Sequence, residues 1–119
     1  MTPEEVFAGA ITGDAAVTAL IGTNLYADSL SESARAPMAV YQRGETEPVR
    51  TLGSRLVGSF IEMNILVFAT TRASCDQICD ALEVALETVK YRPTVRTAGY
   101  EAEPRLESAR MTFRYWHAA

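Results

Sequence analysis

The run from Leu56 to Val89 constrains this chain more than any other stretch. Its first half, Leu56-Val57-Gly58-Ser59-Phe60-Ile61-Glu62-Met63-Asn64-Ile65-Leu66-Val67-Phe68-Ala69, reads as one long strand. Side chains alternate faces along a strand. Val57, Ile61, Met63, Ile65 and Val67 therefore share a face that needs a core, interrupted only by Ser59. The opposite face carries Leu56, Phe60, Glu62, Asn64, Leu66 and Phe68, polar in its middle and apolar at its ends. That mixture suits a solvated sheet surface or one partly covered by another subunit. A helix follows with almost no loop. Thr71 or Ser74 can cap it, because a hydroxyl accepts from the early unpaired N–H groups. Cys75, Ile78, Cys79, Leu82, Leu86 and Val89 then recur at the spacing of an amphipathic stripe. The stripe is expected to pack on the Ile61, Met63 and Ile65 face. The helix has to end before Pro93, since the residue ahead of a proline disfavours helical backbone.

The chain before this run begins with a capping box. Thr2-Pro3-Glu4-Glu5 places a hydroxyl at the cap and proline at the first helical position. Val6, Phe7, Ala10 and Ile11 form a short apolar face, and Gly13 ends the helix. Asp14 caps a second short piece bearing Val17, Leu20 and Ile21, closed by Gly22. The two pieces are either a hairpin or one bent helix. Asn24 to Ala27 is a short strand, Ser29 to Ala36 a loop, and Pro37 to Arg43 a second strand. Gly44 to Arg55 is polar and reads as a long exposed loop, either a solvated tip or an arm that touches a neighbouring subunit.

Beyond the central helix, Val95 to Glu101 is a short strand, and Glu101 to Arg105 a turn containing Pro104. Leu106 to Trp116 is the last strand. Ala109, Met111, Phe113 and Tyr115 line one face, and Ser108, Arg110, Thr112 and Arg114 the other. Arg110 or Arg114 is placed to pair with Glu62. The expected fold is α+β: a small, mostly antiparallel sheet of four to five strands. One long helix and a short N-terminal helical hairpin pack on one face.

Composition sets the outer bounds. The chain has 119 residues and is 48% hydrophobic, which suits a single domain over 1–119 with a real core. A net charge of −4, with Lys90 the only lysine and the arginines scattered, argues against binding along a phosphate backbone. Cys75 and Cys79 lie on the helix stripe and read as buried hydrophobes. Two thiols without a second ligand pair make no zinc site. No apolar run approaches a membrane span, and no signal-type core opens the chain, so folding in a reducing cytoplasm is expected.

A search for catalytic chemistry finds no candidate. His117, the sole histidine, sits near the chain end beside Trp116, and no nucleophile set can be built around it. Gly9, Gly13 and Gly22 interrupt or end helices instead of opening a phosphate loop. The pairs Glu4/Glu5 and Glu101/Glu103 fall at helix starts or turns, and Glu83/Glu87 reads as a solvated helix face. No enzyme activity, cofactor or metal is expected.

Four stretches together resemble one family. Leu20-Ile21-Gly22-Thr23-Asn24-Leu25-Tyr26 resembles its opening pattern of a short helix followed by hydrophobic-Gly-x-x-(Ile/Leu)-Tyr. Ala36-Pro37-Met38-Ala39-Val40-Tyr41-Gln42 resembles its Pro-x-(Ala/Val)-hydrophobic-Tyr-Gln strand. Met63 to Thr70, leading into a Cys/Ala-rich helix, resembles its central junction, and Met111-Thr112-Phe113-Arg114-Tyr115-Trp116-His117 its closing strand. The family is the tail completion, or tail terminator, proteins of long-tailed phages and gene transfer agents. Leu66 departs from the pattern, which often has a polar residue there.

The resemblance implies a virion structural protein, made in the cytoplasm of a bacterial host and placed at the head-proximal end of a tail. Such proteins form a ring, commonly a hexamer, that stops tube polymerisation and offers a head-joining surface. The implied partners are further copies of the chain, the major tail tube protein and a head–tail connector protein. DNA would pass through the lumen without sequence-specific binding, and no membrane is involved. The surfaces expected to serve as interfaces are Arg43, Glu45, Glu47, Arg50 and Arg55 in the arm, and Glu62, Leu66, Phe68, Arg110 and Arg114 on the mixed face. Two other readings stand beside this one: a head-side joining protein, and a dimeric ferredoxin-like domain that binds a small molecule.

Overall fold

Three polar caps start the three helices. A computed structural model of the protein describes residues 2–30, 34–102 and 105–118. Thr2 Oγ1 accepts from Glu5 N at 3.1 Å and opens helix α1 (Pro3–Thr12). Asp14 Oδ1 accepts from Val17 N at 3.0 Å and opens α2 (Ala15–Ile21). The N-terminal segment is thus a helical hairpin with separate caps. Thr71, not Ser74, caps α3 (Arg72–Glu87), its hydroxyl accepting from Ser74 N. An N-cap of this kind contributes about 1 kcal/mol.

Five strands form one sheet: β1 (Leu25–Ala27), β2 (Met38–Arg50), β3 (Leu56–Ala69), β4 (Arg92–Glu101) and β5 (Leu106–Ala118). The spatial order is β1-β2-β3-β5-β4. Every pairing is antiparallel except that of the short β1 with β2. The long central strand therefore sits in the middle of the sheet, as its two-sided apolar pattern requires.

All three helices lie on one face. Ile61, Met63, Ile65, Val67 and Ala69 of β3 meet Cys75, Ile78, Cys79, Leu82 and Leu86 of α3, all at 1% exposure or less. Phe7, Ile11, Val17 and Ile21 close the same core from the N-terminal hairpin. Val57 departs from the expected inward set: it is exposed, because β3 has by then run past the end of the helical layer. Val89 is only half-buried, two residues beyond the end of α3.

Tyr91 is a core residue the periodicity does not reveal. Lys90 adopts φ 68°, which turns the chain and drives the Tyr91 side chain inward. Its ring stacks on Tyr115 at 4.5 Å and meets Phe7 edge-on at 5.0 Å. Its hydroxyl donates to the Pro3 carbonyl at 2.7 Å, tying β4 to the first helix. Arg72 makes a second tie. Its guanidinium donates to the carbonyls of Gly99 and Ser108 and pairs with Glu107 at 2.7 Å.

One loop expectation changes. Gly44 to Arg55 is mostly strand: β2 continues to Arg50, leaving only residues 51–55 as the turn. The expected turn over Glu101 to Arg105 falls partly outside the described residues, as do part of the Ser29 to Ala36 loop and Glu103. The molecule measures 53 × 28 × 24 Å, with a radius of gyration of 15.3 Å. A compact domain of this length would have about 13.5 Å. The excess is the paired extension of β2 and β3, flanked by the end of β5.

Candidate functional site

A single bulge decides which charges share a surface. Gln42 pairs with Asn64 and Arg43 with Met63, but the next pair is Thr46 with Ile61. One extra residue in β2 reverses its alternation. Before the bulge the even-numbered residues face away from the helices; after it Glu45 and Glu47 do. Gly44 sits in this bulge, where a Cβ would come within 2.8 Å of the Asn64 amide and 3.1 Å of the Glu62 carboxyl carbon. A glycine inside a strand marks such a close approach.

The bulge separates Arg43 from the other arm charges. Arg43 keeps the helix-side orientation and pairs with Glu4 of α1 at 2.9 Å. Glu45 and Glu47 instead join Phe60, Ile61, Glu62, Thr94, Val95, Thr112 and Arg114 around an open groove of about 320 Å³ on the uncovered face. Arg114 spans its floor. Its guanidinium carbon lies 3.9 Å from the centroid of the Phe60 ring, and its Nη2 pairs with Glu47 at 3.0 Å. The expected pairing of Arg110 or Arg114 with Glu62 is not seen among the described residues, although Arg114 and Glu62 are register partners. Three carboxylates against one guanidinium leave the groove acidic.

The arm beyond this groove has the opposite character. Thr51 N donates to the Arg55 carbonyl at 2.9 Å, and Arg55 N to Thr51 Oγ1 at 3.2 Å, which closes the turn. Arg50 Nη1 donates to the Ser54 carbonyl. Leu52 is fully exposed, and Leu56 and Val57 are exposed beside it. Residues 50–57 carry two arginines and no acid. A second register shift, between Val49 and Arg50, sets Arg50 opposite Leu56 at the tip.

The remaining expected interface residues lie on the uncovered face further from the arm. Leu66 and Phe68 are half-buried in β3, opposite Val40 and Met38 of β2. Arg110 pairs in register with Leu66 and lines a shallow depression with Asp28, Gln42 and Asn64. Asn64 and Thr112 share a hydrogen bond at 2.8 Å.

β4 is the most exposed element of the sheet. It is an edge strand exposed along its whole length, with Val95 and Tyr100 both more than half exposed. On its helix side Arg96 reaches Asp80 at 2.8 Å, Asp76 at 3.5 Å and Glu83 at 3.6 Å. The acids of α3 are therefore partly paired, which corrects the reading of Glu83 as simply solvated.

Buried titratable groups are structural. Burial pushes the Cys79 thiol up to about 12, and raises Cys75 despite the attraction of Arg72. Burial also raises Tyr91, with Tyr115 and Glu4 adding to the shift. Among the described residues no group of three or more His, Cys, Asp or Glu side chains is arranged to hold a metal, and no helix is long and apolar enough to cross a membrane.

Comparison with known proteins agrees with this architecture. The family described as Tail completion protein gp17 matches residues 6–118. No curated protein matches the sequence. Among solved structures, a chain from "Virion of native gene transfer agent (GTA) particle" shares the fold with a TM-score of 0.73 at 15% identity. The match covers 95% of this chain and 92% of that one.

Proposed function

We propose, from the premise that this chain belongs to the tail completion protein gp17 family, that it ends the tail tube of a phage-like particle as a ring of identical subunits. Membership makes it a structural protein of the virion tail. The proposed role is finer: a ring, six-membered by family resemblance, seated on the head-proximal end of the tube. It would block further tube subunits and present its other side to a head–tail connector protein. The observation that carries this reading is the family match over nearly the whole chain, residues 6–118.

The physics of the surfaces supports it. A closed ring needs two unlike, complementary surfaces on each subunit, related by a rotation that returns to its start. The chain has unlike open surfaces: the fully exposed edge of β4, the uncovered sheet face, and the arm. The acidic net charge of −4 suits a lumen along which DNA moves without adhering, because adhesion requires clustered cations.

Deleting the gene from its source element and imaging the particles by negative-stain electron microscopy tests the role. Overlong tails, or tails separated from filled heads, are the expected result. Normal joined particles would overturn the proposal and shift the weight to a role unconnected with tail ends.

A further inference from the structure

We propose that the basic, apolar arm tip of one copy seats in the acidic groove at the base of the next copy's arm. This rests on the ring reading and specifies its subunit contact. The two surfaces complement each other in sign and in chemistry. The tip, residues 50–57, offers Arg50, Leu52, Arg55, Leu56 and Val57, with two positive charges and no acid. The groove offers Glu45, Glu47 and Glu62 against Arg114, with apolar surface from Phe60 and Val95. Neither Glu45 nor Glu62 has a cation partner among the described residues.

Size and position agree. A groove of about 320 Å³ has room for one or two side chains of the tip. It is open, so a rod-like hairpin can lie across it. The arm's own turn at Leu52 points away from the groove, because both belong to one paired ribbon. Glu47 to Arg50 places about 10 Å of extended backbone between the groove and the start of the tip. The occupant must be another chain, and a second copy supplies the complementary charge. The contact is heterologous, so it propagates around a ring instead of closing a two-fold dimer.

The test is a charge swap with complementation. One variant reverses the tip, Arg50→Glu with Arg55→Glu. A second reverses the groove, Glu45→Lys with Glu62→Lys. Each alone places like charges together and should raise the concentration for half-assembly by more than about tenfold, read by mass photometry. Each should keep the wild-type circular dichroism spectrum. Arg55→Glu alone serves if Arg50, which also braces the turn, proves needed for folding.

Mixed in equal amounts, the two variants should assemble again, as alternating rings with an even number of subunits. Defective variants that fail to rescue one another would overturn the contact, as would variants that assemble like wild type. Both of those results leave the ring itself standing. A wild-type chain that stays monomeric at its highest soluble concentration would overturn the contact as one that joins free copies, while the deletion phenotype decides the ring reading separately.

Discussion

The two faces of the sheet, built from the same strands, obey different rules. On the helix-covered face Ile61, Met63, Ile65, Val67, Met111 and Phe113 are sealed from water. On the other face their neighbours Phe60, Glu62, Asn64, Leu66 and Thr112 are only half-buried. The first face is specified by burial, where each large apolar side chain contributes about 1.5–3 kcal/mol. The second holds charge pairs worth about 0–1 kcal/mol each in solvent. Stability lives on one face, and the free variation that assembly can exploit lives on the other.

The comparison breaks most sharply at the centre of β3. Ile65→Asp would bury an unpaired carboxylate against α3 and should leave no folded population by circular dichroism. The outer-face change Glu62→Lys, two residues away from Asn64 on the same strand, should leave the melting curve nearly unmoved. A folded Ile65→Asp variant would refute the division between the faces.

A smaller effect is expected where the arm leaves the sheet. At Gly58 a Cβ would stand 2.4 Å from the Trp116 ring and 2.7 Å from the His117 carbonyl oxygen. Gly58→Ala should cost about 1–3 kcal/mol by forcing that end of β5 away. Trp116 is the only tryptophan, so a shift in its fluorescence maximum should accompany the loss. Unchanged fluorescence and stability would mean that the ribbon end is looser than this packing implies.

The cysteines sharpen the picture by pH. Burial raises the Cys79 thiol from its ordinary 9.0 to about 12, so folding favours the protonated form. That contribution is complete below about pH 9 and is lost as pH rises toward 12, because only the unfolded chain ionises freely in between. Stability should therefore decline through this window, and a Cys75→Ala, Cys79→Ala variant should decline less. At neutral pH both thiols should resist alkylation until the protein unfolds; rapid native labelling would contradict their burial.

The smallest effect belongs to the groove. Glu47→Ala removes the partner of an Arg114 that is itself half-exposed, and should change stability by less than about 1 kcal/mol. Arg114 keeps its position over the Phe60 ring. A larger loss would show that the uncovered face contributes to the monomer's stability, contrary to the contrast drawn above.

What the sequence by itself determined is whatever short-range chemistry encodes. Thr2 and Asp14 mark helix starts, and Thr71 or Ser74 a third, because capping acts within three residues. The Cys75-to-Leu86 stripe and the Ile61-to-Val67 alternation mark a buried pair because period and burial coincide. Tertiary structure alone decided the rest. Gly44 to Arg55 looks like a loop because strands that are wet on both faces show no period-two signal. The bulge that turns Glu45 and Glu47 toward Phe60 and detaches Arg43 exists only in the pairing of β2 with β3, with Gly44 its one local trace. Tyr91 is buried by a turn at Lys90 and by a helix almost ninety residues earlier in the chain. Backbone hydrogen bonding between distant strands sets which side chains share a surface, and no spacing within a single strand records it.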